Sequence, residues 1–353
     1  MNTFISEKDF SKNSFDFLRF FLAVTVIVSH SFGLINGPKL KEPLPLLDHI
    51  IYKSLGEVAV ASFFILSGFL LTRSWLLKPN IVTFIKKRFY RIFPGIAVVT
   101  FLTIIILGFF SKIPYQEYLI QKQTLYYFLN LFLYPVHYIL PGIFQNNPYA
   151  LTVNGSLWSL AYEWTCYMML ILIGYFGFLN KKKILLFYTT IYLLYLTGIF
   201  KNTVVLFTIN IQTFFSLSMF FLAGSLFYVY ADKISLKKHY ALISFCTFIL
   251  LLLTPYLHFS YTFLGPLFLT YILLYVSFNT SYLNNFGNKL GDLSYGLYIY
   301  AFPVQQLLIS ISGNTLSVLQ LFLFSFLISL ILAYLSWNIV EKRFLKRKNP
   351  VKS

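Results

Sequence analysis

Arg19 and His30 stand eleven positions apart in the first apolar stretch of the chain. On an α-helix that spacing is a rise of about 16 Å and three turns plus about 20°, so both side chains point to one side, a guanidinium near one membrane boundary and an imidazole near the other. A carboxylate follows in another apolar run. Glu163 lies about two turns inside its outer end, with Ser159 and Tyr167 one turn to either side on the same face. A carboxylate that orients an imidazole is the usual support for a general base, so Glu163 is expected to pair with His30. A third group is basic. Arg88 and Arg91 are i,i+3 on a helix, with Arg73 nearby, and two guanidiniums on one face suit phosphate groups at the cytoplasmic surface. Each group also has a plainer reading: a snorkelling Arg19, a packed His30, a Glu163 that clamps helices, and basic residues that anchor to anionic lipid.

The elements that position these residues are membrane spans. Of the 353 residues, 58% are hydrophobic and only 11% charged, which excludes a soluble globular protein. The charge is lopsided, 28 Lys and Arg against 11 Asp and Glu, but so little polar surface leaves no room for a soluble nucleic-acid-binding face. Runs long enough to cross the hydrocarbon layer fall at about 15–34, 58–77, 92–110, 157–178, 184–200, 211–230, 240–257, 260–278, 294–311 and 316–338. They are continuously apolar, unlike the alternating strands of a β-barrel. Placing both termini in the cytoplasm leaves all but six of the 28 basic residues inside; the six are Lys39, Lys41, Lys53, Lys112, Lys122 and Lys201. The expected fold is an all-α, polytopic bundle of about ten transmembrane helices.

One domain is expected over 1–353, with outer loops at about 35–57 and 111–156 and a basic tail at 341–353. The first run reads as a span and not a cleaved signal peptide, because acids accompany the lysines before it. Within the second loop, Leu125–Leu140 is expected to form a helix at or dipping into the outer interface. Cys166 and Cys246 fall inside spans and read as packing residues, so neither a disulfide nor a metal site is expected. His49, His137, His239 and His258 read as surface residues, and Asp292 as a cap for the ninth span. Ser159, Tyr162, Tyr167 and Tyr298 are candidate hydroxyl donors, while Tyr115, Tyr118, Tyr138 and Tyr149 could stack on sugar rings.

Six short stretches together resemble the acyltransferase 3 family of integral membrane acyltransferases, which includes O-antigen and other cell-envelope glycan O-acetyltransferases. Arg19 through His30 matches its first-span Arg and His pattern. Ser62 to Leu70, SFFILSGFL, resembles FFxLSGF; Arg88 to Pro94, RFYRIFP, resembles RxxRxxP; Leu157 to Glu163, LWSLAYE, resembles WSLxxE. Leu290 to Tyr298, LGDLSYGLY, is similar to LGxxSYxxY, and Trp337 to Glu341 to the closing WxxxE. The family commonly continues with a histidine where this chain has Ala301, which shifts weight to His30.

The resemblance implies transfer of an acyl group, most often acetyl, from cytoplasmic acyl-CoA to a hydroxyl of an extracytoplasmic glycan such as lipopolysaccharide O-antigen, in a bacterial inner membrane and without a fused SGNH domain. On that reading Arg88 and Arg91, with Arg73, hold the CoA phosphates, and the pantetheine arm runs past Arg19 toward His30 and Glu163. His30 acts either as general base on the acceptor or as an acylated relay. Expected partners are the glycan acceptor and membrane lipids, with no nucleic acid and no metal. The rival class is a transporter or flippase of a lipid-linked glycan, against which stands the lack of repeated halves.

Overall fold

A computed structural model describes residues 10, 12–37, 53–205, 208–254, 258–280, 283 and 291–346. Lys8, Lys39, Lys41, His49, Lys289, Leu290 and the tail from Arg347 lie outside the described residues, as does most of the first outer loop.

The chain is a bundle of long helices: α1 (Phe15–Asn36), α2 (Leu55–Leu77), α3 (Ile81–Gly108), short α4 (Tyr115–Ile120) and α5 (Lys122–Tyr127), α6 (Leu157–Tyr175), α7 (Lys181–Thr197), α8 (Ile211–Val229), α9 (Lys238–Leu253), α10 (His258–Asn279), α11 (Ser294–Ile311), α12 (Val318–Ser336) and short α13 (Lys342–Lys346). One small antiparallel pair, β1 (Val204–Val205) and β2 (Ile209–Asn210), precedes α8. The helix starts are written in the sequence. Ser54 and Glu57 form a reciprocal capping box on α2, Ser317 and Gln320 another on α12, and Asn80 caps α3 through the Thr83 amide.

Each of the ten expected runs meets a helix. Among the described residues seven helices are long and apolar enough to cross a membrane: α1, α2, α3, α6, α8, α10, and α12 with its extension to Leu345. The other three are α7 at 17 residues, α9 at 16, and α11, whose 18 residues include the buried Gln305 and Gln306. Ten crossings therefore exceed what length and apolarity carry by themselves. The outer faces suit lipid: Leu319, Leu323, Leu327 and Ile331 make an i,i+4 row of exposed side chains along α12. This is a multi-pass membrane protein.

Two boundaries differ from expectation. α3 begins at Ile81, so the basic stretch before residue 92 is itself helical and carries Arg88 and Arg91 into the bundle. The apolar run Leu125–Leu140 is not one helix. It is α5, a 3-10 turn over Phe128–Phe132, and then irregular chain, because Leu133 adopts a left-handed φ of 65° and Pro135 has no amide to continue the ladder.

α2 and α8 lie backbone against backbone. A Cβ on Gly68 would strike the Phe221 carbonyl, and one on Gly224 the Ile65 carbonyl. The glycine after Ser67 thus sets how deeply α2 sits, and with it where Ser67 faces. Arg19 on α1 and Leu345 on α13 line one cavity, so the first helix starts and the last ends at the same, basic end of the bundle.

Candidate active site

At the basic end α1, α2, α3, α6 and α11 surround a cavity of about 450 Å³. Arg19, Arg73, Arg88, Arg91 and Glu163 all line it, so five of the six residues singled out in the sequence meet in one place. His30 does not line it.

The four arginines are not equivalent. Arg91 pairs with Asp292 at 2.5 Å, and Arg19 lies 3.9 Å from the same carboxylate and 3.6 Å from Asp16. The Ser294 hydroxyl donates to Asp292 Oδ1 at 2.5 Å. Burial pushes the Asp292 carboxyl up, but Arg91 and Arg19 outweigh it and hold it below the ordinary carboxylate value. The residue expected to cap a helix is therefore the counter-ion of two arginines brought together from α1 and α3. Its neighbour Gly291 has a φ of +81°, and a Cβ there would run into the Trp337 indole, which explains why glycine occupies that motif position. Arg73 lies over the Phe10 ring at 4.1 Å. Arg88 stacks loosely over Phe84 at 6.0 Å, and its buried Nε has no partner. Among the described residues Arg88 thus lacks the carboxylate partner that Arg91 and Arg19 share, although Glu163 lines the same cavity.

Asp292→Asn removes one negative charge from between Arg19 and Arg91. Losing one partner of a buried pair costs about 3–5 kcal/mol, and the partial exposure of this group reduces that to about 2–3 kcal/mol. The expected result is a lower midpoint of thermal unfolding in detergent, read by intrinsic fluorescence. Because the folded carboxyl titrates below its unfolded value, the wild-type contribution is present above the ordinary carboxylate range and lost as the pH falls through it. The wild type and variant therefore converge in acid.

Glu163 faces this cavity and not His30. Its Oε1 accepts from the Ser67 hydroxyl at 2.7 Å and the Tyr167 hydroxyl at 2.5 Å. Among the described residues no hydrogen bond or ion pair joins it to His30, so the expected orienting pair does not form. The reason lies in packing: Glu163 looks from α6 toward α2, whereas His30 looks from α1 toward α11, where its ring meets Phe302 edge-on at 5.1 Å. Ser67 was not among the expected site residues, and only the FFxLSGF stretch signalled it.

Above Glu163 the cavity closes. Ser159 and Tyr298 hydrogen-bond to each other at 2.5 Å, and one turn farther along α11 stands Phe302. The other candidate donors are engaged, Tyr167 on Glu163 and Tyr162 as acceptor from the Asn210 amide. α1 and α11 run side by side in step. Arg19 meets Asp292 at one level and His30 meets Phe302 at another, spans of eleven and ten residues, about 16 and 15 Å. Gln305 fixes that alignment through the Ile27 carbonyl at 2.9 Å and the Ser31 hydroxyl at 2.8 Å. His30 Nδ1 is buried without a partner. Ala301, at the position of the missing second histidine, is buried among Ile27, Leu297 and Ala333.

Beyond Phe302 lies a second cavity, of about 560 Å³, built by the 111–156 segment on the first turn of α6. Tyr138, Tyr149 and Trp158 line it, and Tyr149 packs edge-on against Phe302 at 6.2 Å. Tyr115 and Tyr118 do not reach it: Tyr115 stacks on Phe109 and Tyr118 is fully buried. His137, expected at the surface, also lines this cavity, with Nε2 buried and unpartnered. Cys166 and Cys246 are unpaired, the first buried and the second on an exposed face of α9.

The chain is 31% identical to an O-acetyl transferase of Shigella phage Sf6 over 354 residues, covering 96% of this chain and 97% of that one. It is 29% identical over 171 residues to nodulation protein 10 of Rhizobium leguminosarum bv. viciae, covering 45% of this chain and 43% of that protein. No solved structure matches. The acyltransferase domain model matches residues 12–338, a range that takes in the arginine cluster, Glu163, His30 and every residue lining the two cavities except Leu345. This chain belongs to the acyltransferase 3 family of membrane acyltransferases.

Proposed function

We propose that the protein transfers an acetyl group from cytoplasmic acyl-CoA, bound in the arginine-lined cavity, to a hydroxyl of a cell-envelope glycan of the O-antigen type on the far side of a bacterial inner membrane. One observation carries this reading: the two cavities share no lining residue, and His30, which lines neither, packs against Phe302, the ring that also meets Tyr149 and that a Cβ on Gly155 of the second cavity would strike. The name of the phage relative, an O-acetyl transferase, supports the choice of group and acceptor atom.

Arg88 and Arg73 are the residues that would hold the nucleotide phosphates, while Arg19 and Arg91 share the Asp292 carboxylate. An acyl-pantetheine arm entering there passes Ser67 and Glu163 and brings its thioester toward Ser159 and Tyr298, whose hydroxyls face the cavity and could donate to a developing oxyanion. His30 then removes the acceptor proton as its oxygen attacks the thioester carbonyl; the C–O bond forms, the C–S bond breaks, and the thiolate leaves with a proton. The relay route differs in that His30 first carries the acyl group itself. Glu163 fits a positioning role on the donor side, held by Ser67 and Tyr167.

The test is mass spectrometry of envelope glycans from cells with and without the gene. Acetyl esters are expected only in its presence. Identical glycans from both would remove the proposed activity.

A further inference from the structure

The outer cavity has the build of a ligand site. Its volume of about 560 Å³ falls within the range of small-molecule pockets, and its walls are aromatic with a few polar groups, the usual composition of such pockets. The walls are held in place by specific bonds. Asn130 clamps the backbone of His137 from both sides, donating to its carbonyl at 2.9 Å and accepting from its amide at 2.7 Å. Tyr134 ties the same loop to α6 through the Ala161 carbonyl and the Thr165 hydroxyl, each at 2.6 Å. Gln306 reaches from α11 to the carbonyls of Tyr149 and Thr152 at 2.7 Å. A loop secured at this many points presents a preformed surface.

The lining is specific in chemistry. Tyr126 and His137 are stacked on each other, ring centres 5.8 Å apart and planes 26° off, and Trp158 and Tyr149 also line the cavity. Flat aromatic faces match the C–H faces of a sugar ring. His137 Nε2, which has no partner in the protein, and the side chains of Gln123 and Thr152 supply groups for hydroxyls. Burial lowers the His137 imidazole from its ordinary value, which favours the neutral ring, whose Nε2 donates or accepts according to tautomer. The floor is thin: Gly155 has no side chain, a Cβ there would strike the Phe302 ring, and that ring also meets His30.

We infer that this outer cavity is a pyranose-binding site, in which Tyr126 and His137 stack and hydrogen-bond one sugar ring of the acceptor while Gly155 lets a hydroxyl approach Phe302 and His30. The inference rests on the acyl-transfer reading for its purpose, but binding can be measured without turnover. The probes are the methyl α-pyranosides of glucose, galactose, mannose and rhamnose, observed by saturation-transfer NMR on the detergent-purified full chain. At least one is expected to bind, with affinity reduced roughly tenfold in the Tyr126→Ala/His137→Ala double variant and retained in Tyr126→Phe, which keeps the stacking ring. Tyr126 is exposed, so the single Tyr126→Ala variant, expected to show part of the loss, serves where the double variant does not fold. Equal binding to the wild type and the double variant overturns the site, as does displacement of every probe by phosphatidylglycerol, which would make the cavity a lipid site. If acetyl transfer fails in the wild type while pyranoside binding still depends on Tyr126 and His137, the acyl-transfer reading falls and the site stands. If transfer persists with an unchanged acceptor KM in the double variant, the site falls and the transfer reading stands.

Discussion

Replacing His30 with alanine is expected to leave a folded membrane protein whose acetyl transfer has fallen by about 10²–10⁴-fold, the usual contribution of a positioned general base. The structural side of that expectation comes from the bonds the side chain makes. Its Nδ1 has no partner, and its described contact is the edge of Phe302, so truncation breaks no hydrogen-bond network; the alignment of α1 with α11 stays with Gln305. His30→Gln, closer in volume, should be equally inactive. Retention of more than about a tenth of wild-type activity in both variants, with unchanged thermal midpoints, would remove His30 from the chemistry. Rapid quenching with labelled acetyl-CoA and no acceptor then separates the two routes. A labelled protein that disappears in His30→Ala supports the relay, and its absence in the wild type supports direct base catalysis.

Arg88→Ala carries the second large effect, on the donor. Its buried and unpartnered Nε is an unmet charge-assisted donor, and one such bond contributes about 1.5–3 kcal/mol, or roughly ten- to a hundredfold in affinity. The KM for acetyl-CoA should rise by that factor. Arg88→Lys should recover only part of it, because an ammonium is a point charge and cannot reproduce the guanidinium fork. S-acetyl-pantetheine, which lacks the nucleotide phosphates, provides the internal control: with it the wild type and variant should converge. A variant equally impaired with both donors would show that Arg88 shapes the cavity instead of binding phosphate. The contrast with Arg91 is instructive. Arg91 sits three residues away in the same motif, but Asp292 already occupies it, so its loss should register in stability before it registers in donor affinity.

The helices were legible in the sequence because apolar run length is a local property, and so is a cap such as Ser54 with Glu57 or Asn80 with Thr83. The grouping of Arg73, Arg88 and Arg91 was legible in the motifs, whereas Glu163, expected beside His30, lines the arginine cavity instead. What escaped was pairing across the bundle. Asp292 holding two arginines, and Ser67 rather than His30 meeting Glu163, depend on which faces of α1, α2, α6 and α11 oppose each other, and helical periodicity gives a face but no partner. The outer cavity escaped for a related reason. Leu125–Leu140 reads as one apolar helix, and its break after Phe132 is what turns His137 and Tyr138 toward Trp158.

The Ser159–Tyr298 bond and the Phe302 ring have a consequence in bioenergetics. Two clefts entering a membrane from opposite sides amount to an ion channel unless something insulates one from the other, and each elementary charge leaking down a 100 mV potential dissipates about 2.3 kcal/mol. Here the layer between the two cavities contains the Ser159–Tyr298 hydroxyl pair, with Ser159 also reaching the Ser156 carbonyl at 3.4 Å, and the Phe302 ring. On the proposed reading the acyl group passes this layer covalently held, on the thioester or on His30, and no free ion has to move with it. On the proposed reading the enzyme can export a chemical group continuously without draining the voltage on which the rest of the cell runs.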